Sequence, residues 1–294
     1  MTELNKPMNG KICMVTGATS SIGEITSREL ARLGATVIVV GRNPEKSLNT
    51  VNMIKQQTGN PNVEFMLADL SSQKKIHQLA QQFKSRYQHL HVLINNAGAI
   101  FTKRQESIDG IEMTFAVNHL GCFLLTNLLL DILKTSTPSR IINVSAHQHH
   151  KKANIDFNDL QNRKKYKFWE VYMQTKLYNL LFTYELAQRL KETNITVNAL
   201  HPGVLSSNLG MNNKGIVHFI LQLIKPLFNI ILTNPEKGAQ TMIYLATSPE
   251  VKDITGEFFI EKKIIESYKN FYDKESANRL WQISAELTKL EKRN

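Results

Sequence analysis

Cysteine is scarce in this chain of 294 residues, which contains only Cys13 and Cys122. Two cysteines do not form the disulfide framework of a small secreted protein, so they favour a reducing, intracellular location. Residues 1–10 are polar and contain no apolar segment of the kind that a secretory signal needs. We therefore expect the protein inside the cell, either cytoplasmic or peripherally associated with a membrane.

Acidic residues are outnumbered, with 25 Asp and Glu against 36 Lys and Arg, which gives a formal net charge of +11. A positive excess attracts anions such as nucleic acid, an acidic membrane surface or a phosphorylated cofactor. The basic residues are scattered in short groups, and no basic stripe with interleaved aromatic side chains is present. Nucleic-acid binding is therefore not expected.

Long apolar runs are also missing. The most apolar segment, 216–232, is interrupted by His218, Lys225 and Pro226, whereas a membrane-spanning helix needs about 20 apolar residues. A spanning helix is not expected on this ground. Shallow insertion of 216–232 into a membrane interface stays open.

The apolar residues that are present occur in short runs, mostly rich in Val and Ile, with helix-length patterns between them. Continuous apolar runs are typical of parallel strands that are covered on both faces. We predict strands at 11–16, 36–40, 63–67, 92–95, 140–144 and 196–200, and helices at 22–33, 44–57, 73–87, 121–133 and 171–191. This alternation, uninterrupted by a repeat or a linker, predicts one α/β domain over residues 1–294 with a doubly wound, Rossmann-type parallel sheet.

The first predicted strand runs directly into a turn of small residues, Thr16-Gly17-Ala18-Thr19-Ser20-Ser21-Ile22-Gly23, and a helix follows. Small residues let a backbone approach a pyrophosphate, and a helix N-terminus offers free N–H groups to it. The position of the turn between strand and helix favours a dinucleotide site over an ordinary connection.

Arg42 follows the second predicted strand, in the sequence Gly41-Arg42-Asn43. An acidic residue at this position would bind the ribose 2′-hydroxyl of NAD(H) and repel a 2′-phosphate. A guanidinium instead pairs with a phosphate through two hydrogen bonds. The sequence therefore favours NADP(H) over NAD(H), although Glu45 lies nearby and an Arg42 pointing to solvent is the alternative.

Tyr172 and Lys176 are separated by four positions in the fifth predicted helix, so they share one face. A neighbouring ammonium favours the phenolate and lowers the pKa of a tyrosine, which predicts acid/base chemistry. Ser145 ends the strand at 140–144, at the carboxyl edge where α/β sites lie. Its hydroxyl is a candidate donor to a substrate carbonyl, or else a turn cap, and Asn118 is a candidate to hold a water or to kink its helix.

Together these motifs resemble the classical short-chain dehydrogenases/reductases. Residues 16–23, Asn95-Asn96-Ala97-Gly98, Asn118, Ser145, Tyr172-x-x-x-Lys176 and His201-Pro202-Gly203 follow that family's order and spacing over about residues 9–262. The segments 115–121, 155–160, 238–241 and 278–281 are similar to its retinol-dehydrogenase-like branch.

The resemblance implies a role for each matching residue. Tyr172 would exchange the proton, and Lys176 would hold the nicotinamide ribose and lower the phenol pKa. Ser145 would orient the carbonyl, and Asn118 would position a water. Asp69 is expected near the adenine, and Asn96 to Gly98 beside the adenine ribose. Besides Tyr172 and Lys176, the residues expected around the cofactor are Gly17, Ser20, Ser21, Ile22, Gly23, Arg42, Asp69, Leu70, Asn96, Ala97, Gly98, Pro202, Gly203 and Val204.

Ser21 departs from the family's pattern, because the phosphate turn usually has glycine there. If this position needs a positive φ, serine costs about 1 kcal/mol, and cofactor binding is expected to survive. The resemblance also makes 205–234 a substrate lid and 264–294 a C-terminal extension. It makes the helices at 121–133 and 171–191 candidate interfaces of a homodimer or homotetramer.

Three histidines, His147, His149 and His150, cluster after Ser145. We interpret them as part of a solvated loop or of the substrate pocket rather than as metal ligands, since the family chemistry uses no catalytic metal.

The expected function is NADP(H)-dependent interconversion of an alcohol and a carbonyl on an apolar small molecule of retinoid, steroid or lipid aldehyde type. Two alternatives stay open. One is a reductase of conjugated double bonds on the same fold, and the other is a catalytically silent NADP(H)-binding regulatory protein.

Overall fold

A computed structural model of the chain describes residues 6–146, 155–203, 234–265 and 273–290. Within these residues the backbone forms an eight-stranded sheet in the order β3-β2-β1-β4-β5-β6-β7-β8. Neighbouring strands are parallel, except that β8 is antiparallel to β7. The strands are β1 (Ile12–Thr16), β2 (Thr36–Gly41), β3 (Val63–Leu67), β4 (Val92–Asn95), β5 (Ser139–Val144), β6 (Ile195–His201), β7 (Phe258–Ile260) and β8 (Lys263–Ile264). The predicted doubly wound α/β sheet is confirmed.

The helices that cover the sheet are α1 (Ser21–Arg32), α2 (Pro44–Thr58), α3 (Gln73–Arg86), α4 (Met113–Phe115), α5 (Gly121–Leu128), α6 (Leu130–Thr135), α7 (Phe168–Arg189), α8 (Pro235–Thr247) and α9 (Lys274–Leu287). A π-helical turn, Ala116–Leu120, joins α4 to α5. None of the helices described is long and apolar enough to cross a membrane.

Each inner strand is apolar at consecutive positions because both of its faces are buried. In β1, Cys13 and Val15 join a core with α1, α2 and α8, whereas Met14 points to the opposite core with α3, α5 and α7. Side chains of a strand alternate between its faces, so a sheet covered on both sides needs apolar residues throughout. This is the pattern from which the strands are predicted.

The predicted helix at 121–133 is wrong in its extent. The backbone leaves helical geometry at Leu129, with φ −102° and ψ 2°, and divides the segment into α5 and α6. The residues around the break are mostly apolar, and Leu125, Leu129, Ile132 and Leu133 are buried, so the apolar pattern contains no sign of it. The elements α8, α9, β7 and β8 are not predicted from the sequence.

Two residues where β1 connects to α1 have left-handed backbone: Gly17 in the turn, with φ +64°, and Ser21, the first residue of α1, with φ +52°. The positive φ anticipated for Ser21 is therefore present. For a residue with a Cβ this conformation costs about 1–2 kcal/mol. The preceding Ser20, with φ −168°, has an extended backbone and no such strain.

Replacing Ser21 with glycine is expected to raise the free energy of unfolding by about 0.5–1 kcal/mol. Glycine removes the cost of the left-handed conformation. Its larger backbone entropy in the unfolded chain offsets part of this stabilisation. Urea denaturation of the Ser21→Gly variant measures the difference. Ser20→Gly is the matched control and should be neutral or slightly destabilising, since no strain is released there. Equal losses of stability in the two variants would contradict the strain assigned to Ser21.

Candidate active site

The residues singled out in the sequence follow the carboxyl ends of six neighbouring strands. Gly17 follows β1, Arg42 follows β2, Asp69 comes two residues after β3, and Asn96, Ser145 and Pro202 follow β4, β5 and β6. These strands are parallel, so their carboxyl ends meet at one edge of the sheet. The strand order reverses between β1 and β4, and ligands of open α/β sheets bind at such a switch point.

The turns after β1 and β4 are held together by two polar side chains. Thr16 Oγ1 donates to Ile94 O at 3.2 Å and accepts from the backbone N–H groups of Asn96 and Ala97 at 3.0 and 3.1 Å. Asn96 Nδ2 donates to Thr16 O at 2.8 Å and to Gly17 O at 3.1 Å. The Asn96 amide therefore bonds the turn after β4 to the turn after β1.

Glycine is required where these turns approach each other. A Cβ on Gly17 would lie 2.8 Å from Ala97 Cα, and a Cβ on Gly23 would lie 2.5 Å from both Asn96 Nδ2 and Gly17 O. These distances are too short for a carbon atom to be accommodated. The turn therefore presents bare backbone at the start of α1.

The start of α1 has unused hydrogen-bonding capacity. Ser20 precedes the helix but makes no side-chain cap, and Ser21 Oγ is buried with no hydrogen-bond partner. A helix N-terminus has a positive dipole end and free N–H groups, which suit an anionic group. The glycines, the orphaned hydroxyl and the helix end together fit the pyrophosphate of a dinucleotide.

The turns after β2 and β3 form the other side of this region. Arg42 is exposed directly after β2, and Asn43 caps α2 by accepting from Lys46 N at 2.9 Å. Asp69 accepts from the backbone and hydroxyl of Ser71, so its carboxylate fixes the turn in which it lies. Leu70 is buried against Gly121, where a Cβ would lie 2.7 Å from Leu70 O.

Tyr172 and Lys176 lie one turn apart on α7, as predicted, and the Lys176 ammonium is 5.5 Å from the centre of the Tyr172 ring. Lys176 is 2% exposed, and its Nζ donates to Val144 O at 3.2 Å. The ammonium is thereby fixed between α7 and the end of β5. Ser145, the next residue of that strand end, is also buried, and its Oγ donates to Lys176 O at 2.7 Å.

Asn118 lies in the π-helical turn, and its side chain connects two parts of the site. Its Oδ1 accepts from Ala99 N at 2.7 Å, and its Nδ2 donates to Ala99 O at 3.0 Å and to Thr175 Oγ1 at 3.1 Å. The side chain thus joins the segment after β4 to α7, next to Tyr172 and Lys176. A role in holding a water, which the resemblance implies, stays a prediction. The π-helical turn agrees with the alternative that this residue kinks its helix.

Burial changes the electrostatics of the Tyr172–Lys176 pair. It raises the pKa of Tyr172 above its ordinary value, whereas the spacing in the sequence predicts a lower one. The same cause, burial, lowers the pKa of Lys176 to about 8. Low polarity disfavours both charged forms, and the ammonium lies over the ring and is bonded to a backbone carbonyl. In this arrangement the neutral phenol is the stable form of Tyr172 at pH 7.

Several residues that support the site are missing from the sequence-based prediction. Glu112 is fully buried and caps α4, accepting from Thr114 N at 2.9 Å and Phe115 N at 2.7 Å. Tyr166 donates to Phe101 O at 2.8 Å, and burial raises its pKa to about 12. Asn179, three residues after Lys176, contributes its amide to the same region. The spacing of Asn179 on the helix face of Tyr172 and Lys176 is the one signal in the sequence that marks it.

Some predicted site residues lie outside the described residues. These are Val204, residues 205–233 of the predicted lid with the apolar segment 216–232, and the histidines at 147, 149 and 150. Pro202 and Gly203 are described and follow β6, with Gly203 at φ +86°. Among the described residues, no group of three or more His, Cys, Asp or Glu is placed to hold a metal ion.

Helix α9 covers part of the surface of α5 and α7. Trp281 packs against Phe123 and Phe182, with ring centroids 5.0 and 5.8 Å away, and the Arg189 guanidinium lies 4.1 Å from the centre of its ring. The helices predicted as candidate subunit interfaces are therefore partly covered within the chain itself. Dimer or tetramer formation stays a prediction.

Comparison with known proteins identifies the family of the chain. The model of the short chain dehydrogenase family matches residues 11–215. Retinol dehydrogenase 14 of Homo sapiens is 40% identical over 294 residues, which cover 94% of this chain and 86% of that protein. Among solved structures, a protein from Mycobacterium paratuberculosis is 30% identical with a TM-score of 0.76, covering 99% of this chain and 98% of that one. A short chain dehydrogenase from Escherichia coli CFT073 in complex with NADPH has a TM-score of 0.67 at 22% identity, covering 88% and 99% of the two chains.

The last of these similarities concerns the fold alone, while the family model and the human relative extend over most of the chain. The chain therefore belongs to the short-chain dehydrogenase family and is an oxidoreductase similar to the retinol dehydrogenases.

Proposed function

We propose that the chain catalyses the NADP(H)-dependent interconversion of an alcohol and a carbonyl on an apolar small molecule, with Tyr172 as the acid/base. The observation that carries this proposal is the arrangement of Ser145, Tyr172 and Lys176 at the sheet edge that also carries the phosphate turn. A site of this kind needs a proton donor and a cation beside the place where a nicotinamide binds. A bound nicotinamide would supply or accept the hydride.

The phenol of Tyr172 is suited to proton donation. Burial raises the pKa of Tyr172, and the phenol is protonated at pH 7 as an ordinary tyrosine is, so in the reductive direction its proton is available to a developing alkoxide. The phenolate left behind is stabilised by Lys176, whose pKa of about 8 leaves it mostly charged at neutral pH. Ser145 Oγ donates to Lys176 O, and rotation about its C–O bond redirects the proton to a substrate carbonyl.

The preference for NADP(H) is supported by Arg42. Arg42 is an exposed residue at the end of β2, where the family places the adenine ribose, and its guanidinium suits a 2′-phosphate. The Escherichia coli structure with the same fold holds NADPH. Asn96, Ala97 and Gly98, with Pro202 and Gly203, belong to the proposed cofactor site at the same edge, and Val204, which lies outside the described residues, is assigned to that site from the family resemblance.

The substrate class is proposed from the surroundings of Tyr172 and from the relatives. Phe168 and Trp169 are exposed by 42% and 53% at the start of α7, and the Trp169 ring lies 5.7 Å from that of Tyr172. Exposed aromatic side chains beside a proton donor suit an apolar substrate. The related human protein is named a retinol dehydrogenase, so a retinoid, or a steroid or lipid aldehyde, is the class to test first.

The apolar segment 216–232 is proposed as part of the lid over this substrate, with peripheral contact to a membrane interface as a second role. A homodimer or homotetramer in an intracellular location completes the proposal.

Replacement of Tyr172 by phenylalanine is expected to lower kcat for carbonyl reduction by about 100-fold or more, because general acid catalysis contributes 10²–10⁴-fold. Binding of NADPH should change little, since the ring and Lys176 are retained. Oxidation of NADPH, followed at 340 nm with a panel of apolar aldehydes and ketones including retinal, measures the rate, and fluorescence titration measures the binding.

Tyr244→Phe is the matched control, because Tyr244 bonds Glu250 on the surface at 2.8 Å, and it should keep full activity. Binding of NADPH without turnover of any carbonyl would favour the regulatory protein. Reduction of the C=C bond of an enal or enone, shown by product analysis, would favour the double-bond reductase.

Replacement of Arg42 by alanine is expected to weaken NADPH binding by about 10- to 100-fold, the loss of a charge-assisted pair of about 1.5–3 kcal/mol. The Kd for NADH should stay within about 2-fold, because NADH has no 2′-phosphate. Lys55→Ala removes the same charge from the far end of α2 and controls for the general effect of net charge. Equal weakening of NADPH and NADH in Arg42→Ala would contradict the role given to Arg42.

A further inference from the structure

His119 is a buried imidazole that the proposed chemistry does not use. It follows Asn118 in the π-helical turn and is 1% exposed. The rings of Phe115, Phe123, Tyr178 and Phe182 surround it at centroid distances of 5.6–6.2 Å. A polar ring in such an apolar cluster is costly unless its nitrogens are hydrogen-bonded.

Both ring nitrogens of His119 have a partner. Nδ1 lies 3.2 Å from Asn179 Oδ1 on α7, and Nε2 lies 2.9 Å from Ser284 Oγ on α9. Burial lowers the pKa of His119 to about 4, so the ring is neutral, with one nitrogen donating and the other accepting. The imidazole therefore connects the C-terminal helix with the helix that carries Tyr172 and Lys176.

The direction of these bonds follows from Asn179. Its Nδ2 donates to Asn118 O at 3.0 Å and to Val144 O at 3.4 Å, so its Oδ1 faces His119 as an acceptor. Nδ1 of His119 must then donate, and Nε2 accepts from the Ser284 hydroxyl. The result is one continuous series in which Ser284, His119 and Asn179 each donate to the next group.

The series ends on two carbonyl groups of the catalytic region. One belongs to Asn118. The other, Val144 O, also accepts from Lys176 Nζ at 3.2 Å. Asn179 therefore shares the acceptor Val144 O with the Lys176 ammonium. It also donates to the backbone of Asn118, whose side chain joins Ala99 to Thr175.

We propose that Ser284, His119 and Asn179 are positioning residues that hold the Asn118 backbone and the Lys176 ammonium in place for the reaction. Helix α9 is thereby part of the support of the active site and not only of the core. This inference rests on the proposed function, since it assigns the three residues to the same reaction.

The variant His119→Phe keeps an aromatic ring in the cluster and removes both hydrogen bonds. We expect kcat to fall by about 10-fold or more, because a displacement of 1 Å near reacting groups costs up to about 100-fold. KM for the carbonyl and Kd for NADPH should change by no more than about 2-fold, because an interaction that acts only in the transition state affects kcat and not binding. Ser284→Ala should lower kcat in the same way and to a smaller extent.

Two further variants distinguish positioning from packing. His119→Asn places its amide N–H near the former Nδ1 and should recover part of kcat, whereas His119→Gln places it near Nε2 and should not. Trp281→Phe loosens the packing of α9 without touching the polar series, so it should lower Tm and leave kcat unchanged. A kcat of His119→Phe equal to wild type, or an equal loss of kcat in Trp281→Phe, would overturn the proposal.

Nitrogen-15 NMR of histidine-labelled protein gives a readout that does not depend on activity. The expected spectrum shows a neutral His119 with its proton on Nδ1 and a shift of the Nε2 signal in Ser284→Ala. A proton on Nε2 would overturn the series. If the unaltered chain turned over no carbonyl, the proposed function would fail, and the side-chain amide signals of Asn179, observed in protein labelled at asparagine, would then decide. Their displacement by Ser284→Ala supports the coupling between α9 and α7, and their constancy refutes it.

Discussion

The close approach of the turns after β1 and β4 is the constraint on which the rest of the site depends. The backbone atoms there are so near that Gly17 and Gly23 have no room for a Cβ, and Thr16 and Asn96 satisfy the polar groups that the contact buries. Because the two strands are neighbours at the switch point of the sheet, this contact fixes where α1 begins. The strained backbone of Ser21 is a consequence, since the chain must enter α1 within a few residues of that contact.

A second group of buried polar side chains lies next to the candidate catalytic residues. Asn95 Nδ2 donates to Asn143 Oδ1 at 2.9 Å, and Asn143 Nδ2 donates to Thr183 Oγ1 at 2.9 Å. A buried amide is costly unless it is hydrogen-bonded, so each of these bonds restricts the elements that it joins. These bonds connect β4, β5 and α7. Asn96 follows β4, Ser145 follows β5, and Lys176 lies on α7.

The sheet was predictable because its information is local: each inner strand is a short apolar run, and the family motifs sit at the ends of those runs. The features that were missed depend on tertiary contact. The break at Leu129 leaves no trace in an apolar segment, and the place of α9 in the fold depends on the aromatic surface that Trp281 meets. The pKa of Tyr172 could not be inferred from the Tyr–Lys spacing, because burial, which no spacing reveals, acts in the opposite direction. The roles of His119 and Asn179 depend on hydrogen-bond partners that are distant in the sequence, and only the helical spacing of Asn179 from Lys176 marks either residue.

The chain contains two tryptophans, and the fold gives them contrasting surroundings. Trp281 is wedged between two phenylalanine rings and a guanidinium, whereas Trp169 is half exposed one helical turn before Tyr172. An indole in water emits at longer wavelength and is more easily quenched than one in a packed interior. Trp169 is thus an intrinsic fluorescence reporter beside Tyr172 in the candidate active site, and its emission can report the binding of a ligand there without an added label.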